Sequence, residues 1–313
     1  MKKESKKNLA IAVDLGATNL RAGIIANSGK ILKRVTAQTP KIRNKPSLLT
    51  NTVIVLINSL LEHYDKKRIL GIGLAAASPV NPAQGEITNP PNLPYKKVSI
   101  VRPLEKYFSL PVTLANDCTA AVWAEKYFGA GRTLKNFIYL TISSGIGAGI
   151  IADNRLLSGY HKNAGEVGHF IVDTIYKLPC PCKKGAGHWE AYCSGNNMPI
   201  FLKTWLKSKK IKNKYAVKSS KDIFNLAEMK DKNILNFLKE IGKINARGIS
   251  NIIVAYDPET IIMGGSVVLN NSAFIIPEIK KNIDRFLTPP KIIISPLKET
   301  ACLLGAATLV FFK

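Results

Sequence analysis

The pentapeptide at 22–26, A-G-I-I-A, recurs identically at 148–152. Each copy follows an apolar run and a turn of small residues. The first setting is 9–14 followed by L-G-A-T-N at 15–19, and the second is 137–142 followed by S-S-G-I-G at 143–147. Short apolar runs punctuated by Gly, Asn and Ser read as strands joined by hairpin turns. A strand–turn–strand unit used twice predicts a duplicated lobe. In register, Thr18 corresponds to Ser144. Turns of small residues let backbone N–H groups approach an anion, so two phosphate-cradling hairpins facing a cleft are expected. In the first, Asp14 can hold a metal-bound water and Thr18 can donate to phosphate. An ordinary hairpin turn is the competing reading.

The remaining periodicity alternates strand and helix, which argues for an α/β protein. Residues 47–64 carry apolar side chains at helical spacing, with Ser47 as the N-cap. The strand at 69–76 contains G-I-G-L-A-A, a formal match to a dinucleotide-binding pattern. That pattern needs a helix next, yet Ser78-Pro-Val-Asn-Pro82 follows, so it is rejected. The Pro/Asn-rich stretch 78–94 reads as a long loop walling a cleft. Helices are predicted at 98–107, 119–128, 197–207, 221–229, 232–256, 277–287 and 297–312, with strands at 112–115, 259–263 and 291–295. Asp117 then stands where a strand gives way to a helix, the place where α/β folds put chemistry. A plain helix cap fits that position equally well. The expected division is a small lobe, 1–116 plus about 297–313, and a large lobe, 117–296.

Residues 166–190 hold two of the four histidines and two of the five cysteines. His169, Cys180, Cys182 and His188 supply the ligand number and softness of a tetrahedral zinc. Packed thiols in a turn are the alternative. Glu166 and Glu190 bracket the set, and Glu166 and His169 share a face if that turn is helical.

The net charge of +24 points toward anionic partners. The lysines are spread along the chain, however. The densest run, 203–221, has eight lysines and no acid, and no nucleic-acid-binding motif accompanies it. It reads as a solvated surface, with no specific nucleic-acid partner. An odd count of five cysteines suits a reducing cytoplasm rather than a disulfide framework. The basic start at 1–7 superficially suggests a signal peptide, but its apolar run stops at Asp14. No 18-residue apolar stretch predicts a membrane span.

Dispersed motifs then converge. V-D-L-G-A-T-N at 13–19, A-N-D at 115–117 and S-S-G-I-G-A-G-I-I at 143–151 come first. E-V-G-H at 166–169, C-P-C…G-H-W-E at 180–190 and I-M-G-G-S at 262–266 follow. Together the chain resembles the ROK family of sugar kinases, repressors and open reading frames, within the actin/hexokinase-like ATPase superfamily. The resemblance implies two lobes with duplicated mixed β-sheets around a cleft. It implies ATP-dependent phosphorylation of a hexose, glucose foremost, to the 6-phosphate as a step of glycolysis. An N-acetylhexosamine kinase is the alternative within the enzyme class, and a sugar-responsive regulator the alternative outside it. Asp117 would be the general base, and Asn116, Glu166, His169 and Glu190 would bind sugar hydroxyls. Asp14, Gly16, Thr18, Ser144, Gly145 and Gly147 would contact phosphates or Mg²⁺. Gly264 and Gly265 would let the nucleotide lie against the backbone. His169 would serve twice, with one ring nitrogen on zinc and the other near the sugar. A homodimer follows from the resemblance alone. Departures from the family are His188 in place of a third cysteine and a loop one residue longer before it. In addition, Lys183 stands where glycine is usual, and Ser78 and Asn81 where Gly and Asp are commoner.

Overall fold

The computed structural model describes residues 8–77, 79–88, 90 and 93–312. The chain divides into two compact units. The first is Met1–Thr133, Ser158–Asn163 and Thr300–Lys313; the second is Leu134–Leu157 and Ala164–Glu299.

The first unit opens on an antiparallel meander of β1 (Leu9–Leu15), β2 (Asn19–Ala26) and β3 (Ile31–Gln38). Parallel strands β4 (Ile69–Ala76) and β8 (Val112–Asn116) extend it, giving the order β3-β2-β1-β4-β8. All seven residues of β1 are buried because helices cover both faces of the sheet. Leu9, Ile11 and Val13 join a core with Leu49, Val53, Ile57 and Leu60 of helix α1 (Ser47–Leu61). On the opposite face, Ala12 lies beside Gly73 in register, and α9 (Ala301–Phe311) packs there. A Cβ on Gly73 would collide with the Ala306 carbonyl, so glycine is what seats this helix. The G-I-G-L-A-A pattern in β4 is therefore a helix seat rather than a nucleotide motif. Helix α3 (Asp117–Phe128) packs on α9 in turn.

The second unit repeats the plan. Strands β9 (Phe137–Ile142), β10 (Ile146–Ala152) and β11 (Arg155–Leu156) form the meander, and β12 (Thr260–Gly264) and β13 (Lys291–Ile294) run parallel to β9. The order β11-β10-β9-β12-β13 copies the first sheet position by position. Its core gathers Trp189, Tyr192, Phe201 and Phe237 from α4 (Glu190–Cys193) and the residue before it, α5 (Met198–Ser208) and α7 (Lys232–Tyr256). Helices α6 (Ser220–Glu228) and α8 (Ser266–Asn282) pack against α7.

The duplicated α/β fold is as expected, and several boundaries are corrected. Residues 78–94 are not simply a loop: β5 (Val80–Asn81), β6 (Glu86–Thr88) and β7 (Lys97–Ser99) form a small antiparallel sheet. Strands this short give no readable period. Ser78, Asn89, Pro91 and Asn92 of that stretch lie outside the described residues, as does the basic start at 1–7. The helix expected at 98–107 begins only at Val101, as α2 (Val101–Phe108), because β7 takes residues through Ser99. Ser47 is the first residue of α1, with Pro46 at the cap position and no side-chain cap. The helix expected at 277–287 is α8, which runs Ser266–Asn282 and carries Pro277 inside it. Proline removes an N–H from the ladder. The helix breaks regular geometry at Asn271, whose side chain donates to the Val267 carbonyl at 2.8 Å. The boundary expected after residue 116 falls after Thr133, since α3 buries its face on α9 within the first unit.

Candidate active site and metal centre

In the first unit the chemistry-bearing residues collect at the carboxyl ends of β1 and β8. Asp14 is a cross-strand partner of Arg21. Its Oδ2 accepts from Arg21 Nη1 at 2.8 Å, and the carboxyl is nearly buried. Burial pushes its pKa up, and the Arg21 charge pulls against that. The turn after it is clamped by Thr39, which donates its hydroxyl to the Gly16 carbonyl at 2.6 Å and its N–H to the Thr18 carbonyl at 2.9 Å. Motif reading did not single out Arg21 or Thr39. Hairpin register alone would have placed Arg21 opposite Asp14.

Asp117 opens α3, but the capping duty falls on Asn116. Asn116 Oδ1 accepts from Cys118 N at 2.8 Å and Thr119 N at 3.1 Å. Asp117 Oδ1 accepts from Cys118 N at 2.8 Å and Asn116 Nδ2 at 3.0 Å. One carboxylate oxygen is thus pinned by its own helix terminus. The Cys302 thiol on α9 is pushed well up, first by burial and then by the neighbouring charges of Asp14 and Asp117. Both carboxylates therefore converge near the start of α9, a placement no sequence motif announced.

The corresponding turn of the second unit joins β9 to β10. The Ser143 carbonyl accepts from Gly195 N at 2.6 Å, and the Ser143 and Ser266 hydroxyls lie 3.0 Å apart. Ser144 and Gly145 complete the turn, and Gly147 lies in β10. The turn is thereby tied to the start of α8, with Gly264 closing β12 and Gly265 at φ +86°. Side chains at those two glycines would meet the Tyr139 ring and the Ile142 backbone, so the protein's own packing already demands glycine there. Motif reading did not single out Ser143, Gly195 or Ser266, whose bonds brace this turn.

Glu166 precedes a 3₁₀ turn, Val167–His169, so it and His169 do share a face; Oε2 and Nε2 are 3.9 Å apart. The other histidine nitrogen, Nδ1, points into the thiol cluster. It lies 3.3 Å from His188 Nδ1 and 3.8 Å from Cys180 Sγ, and Cys182 Sγ lies 3.6 Å from His188 Nδ1. All four ligand atoms fall within 4.8 Å of one another. A tetrahedral zinc with N at ~2.0 Å and S at ~2.3 Å sets ligand atoms about 3.3 to 3.8 Å apart along its edges. The residues present fit that ion. Burial holds the Cys180 thiol up at about 12 and pulls His188 down. The hairpin carrying the ligands closes by Cys180 N to the Gly185 carbonyl at 2.8 Å. Lys183 sits in it at φ +60°, a left-handed conformation that favours glycine. Glu190 is directed elsewhere: its Oε2 accepts from Ile146 N at 2.9 Å, and burial raises its pKa against that bond.

A fold that repeats one five-stranded sheet, and opens each copy with a hairpin turn of small residues, is of the hexokinase-like class. The chain belongs to the ROK family, whose model matches residues 10–312. A glucokinase of Pyrobaculum calidifontis is 32% identical over 303 residues, spanning 96% of this chain and 94% of the relative. The crystal structure of a ROK family glucokinase from Streptomyces griseus, in complex with glucose and AMPPNP, matches with a TM-score of 0.79. That match is 27% identical and covers 96% of this chain and 98% of that one. A xylose repressor of Bacillus spizizenii is 27% identical over 313 residues, covering 97% of this chain and 77% of the repressor.

Proposed function

We propose that the protein is a sugar kinase that transfers the γ-phosphoryl group of ATP to the 6-hydroxyl of a hexose, with glucose as the substrate. The observation that carries this reading is Asp117 at a strand-to-helix switch, its capping duty taken over by Asn116. Asp117 takes the proton of the attacking hydroxyl as that oxygen bonds to phosphorus and ADP departs. Glu166, His169 and Glu190 accept or donate hydrogen bonds to the ring hydroxyls and hold the sugar in one orientation. The two small-residue turns, 15–19 and 143–147, offer backbone N–H groups to the phosphates. Mg²⁺, when bound through water at Asp14, would neutralise charge on the phosphates. Zinc held by His169, Cys180, Cys182 and His188 would fix the imidazole of His169, leaving its Nε2 for the sugar. Five cysteines without a disulfide suit a reducing cytoplasm as the setting. Among the described residues, no helix is long and apolar enough to cross a membrane.

A coupled ADP-release assay across glucose, mannose, N-acetylglucosamine and N-acetylmannosamine tests the reading. Turnover is expected with glucose and reduced ~10²–10⁴-fold in Asp117→Ala, the usual contribution of a general base. No turnover with any sugar, or an Asp117→Ala variant as fast as wild type, overturns it. Preference for the acetylated sugars moves the assignment to an N-acetylhexosamine kinase.

A further inference from the structure

Between the Glu166–His169 turn and the cysteine hairpin, the chain from 170 to 178 is held by a carboxylate. Asp173 is 4% exposed, and a buried carboxylate persists only with donors around it. Its Oδ1 accepts from Ile175 N at 3.2 Å, and its Oδ2 from Tyr176 N at 2.9 Å and Lys177 N at 3.1 Å. The fourth donor comes from a different element: the Tyr192 hydroxyl, 2.8 Å from Oδ2. Tyr192 is fully buried on α4, two residues after Glu190. The same hydroxyl accepts from Leu178 N at 2.9 Å. Burial, then the bond to Asp173, pushes the Tyr192 hydroxyl pKa up, so it keeps the proton it donates.

This hub reaches both halves of the ligand set. Leu178 is two residues before Cys180, and its carbonyl accepts from Gly187 N at 2.9 Å. Gly187 precedes His188, and its carbonyl accepts from Val172 N at 2.9 Å and Asp173 N at 3.3 Å. One hydroxyl and one carboxylate thus connect the backbone beside Cys180 and the backbone beside His188 to the short helix that begins at Glu190. None of these bonds involves a ligand atom.

We propose that Asp173 and Tyr192 are positioning residues that preform the metal loop, holding the cysteine hairpin and His188 in ligating geometry before the ion arrives. The proposal rests on the metal reading given above. Its physical content is that a loop which must be ordered on binding shows weaker apparent affinity, in proportion to the fraction already competent. If the knot were merely stabilising, its loss would lower the melting point and leave the affinity of the folded protein unchanged.

The test is a zinc competition titration against a chromophoric chelator on full-length wild type, Tyr192→Phe and Asp173→Asn, with circular dichroism melts of each metal-free protein. Ser219→Ala serves as a control, since it weakens the distant cap of α6 without touching the loop. Tyr192→Phe keeps the ring and loses both hydrogen bonds. Its zinc affinity is expected to fall ~10-fold, in step with the competent fraction that two lost hydrogen bonds remove. Asp173→Asn is expected to fall in the same direction, and Ser219→Ala to bind as wild type. Wild-type affinity in a folded Tyr192→Phe overturns the proposal; if that variant does not fold, wild-type affinity in Asp173→Asn does so. A loss in Ser219→Ala matching that in Tyr192→Phe also overturns it. Wild type that binds no zinc overturns the metal reading itself, and the proposal with it.

Discussion

Replacing Gly305 with alanine probes how the C-terminal helix of the first unit supports Asp117. Helix α9 crosses α3 at Gly305, and an added Cβ would lie within 3.0 Å of the oxygen, carbonyl carbon and Cα of Ala120. Ordinary Cβ contacts are 3.4–4 Å, and all three atoms are backbone, so no rotamer change relieves the overlap. The helices must part by several tenths of an ångström or more. Overpacking of this kind destabilises by ~1–3 kcal/mol, and contact with rigid backbone argues for the upper end. Alanine returns about 1 kcal/mol through its better helix propensity. The overlap therefore wins by about 2 kcal/mol, equivalent to ~4–8 °C in Tm for a unit of this size. Ala120 is one turn from Asp117, so the displacement reaches the carboxylate. A misplacement of about 1 Å can reduce turnover ~10²-fold. Urea denaturation and the ADP-release assay on Gly305→Ala should show lower stability and a kcat at least ~10-fold down, with sugar KM changed far less. Wild-type stability together with wild-type kcat would refute the packing argument.

His188→Ala should leave purified protein without zinc by metal analysis, whereas His188→Cys should keep about one zinc per chain, because a third thiolate is a good tetrahedral ligand. Asp222→Asn should lower stability at neutral pH in denaturant titrations, with the difference vanishing in acid. The sign follows from its carboxyl being depressed by the Lys218 and Ser219 backbone N–H groups. A depressed carboxyl stabilises above its unfolded pKa, and that stabilisation disappears as pH falls through its folded pKa.

The repeated sheet was legible in the sequence because a strand, a turn and a returning strand lie within about twenty residues of each other in each copy. The metal ligands were legible for a related reason: their spacing is local, and cysteine and histidine are rare enough here to stand out. Arg21 was hidden because its role depends on hairpin register with Asp14. The role of Gly73 as a helix seat was hidden because its partner, the Ala306 carbonyl, lies more than two hundred residues away in the chain. The division after Thr133 was missed for the same reason: α3 finds its partner, α9, nearly two hundred residues away. Tyr192 resembled any buried aromatic, and only its hydroxyl's two bonds distinguish it.

The seating of α9 on β4 also bears on how the chain is made. Gly71 and Gly73 meet Val310 and Ala306, residues synthesised more than two hundred positions later. A nascent first unit therefore waits with the glycine-and-alanine face of β1 and β4 uncovered. The second unit draws almost all its contacts from one continuous stretch and can complete itself sooner. Contacts of such long sequence separation close slowly, and unsatisfied sheet faces attract wrong partners in the interval. The half encoded first should accordingly be the last to become protease-resistant during translation, a reversal of the usual amino-to-carboxyl order.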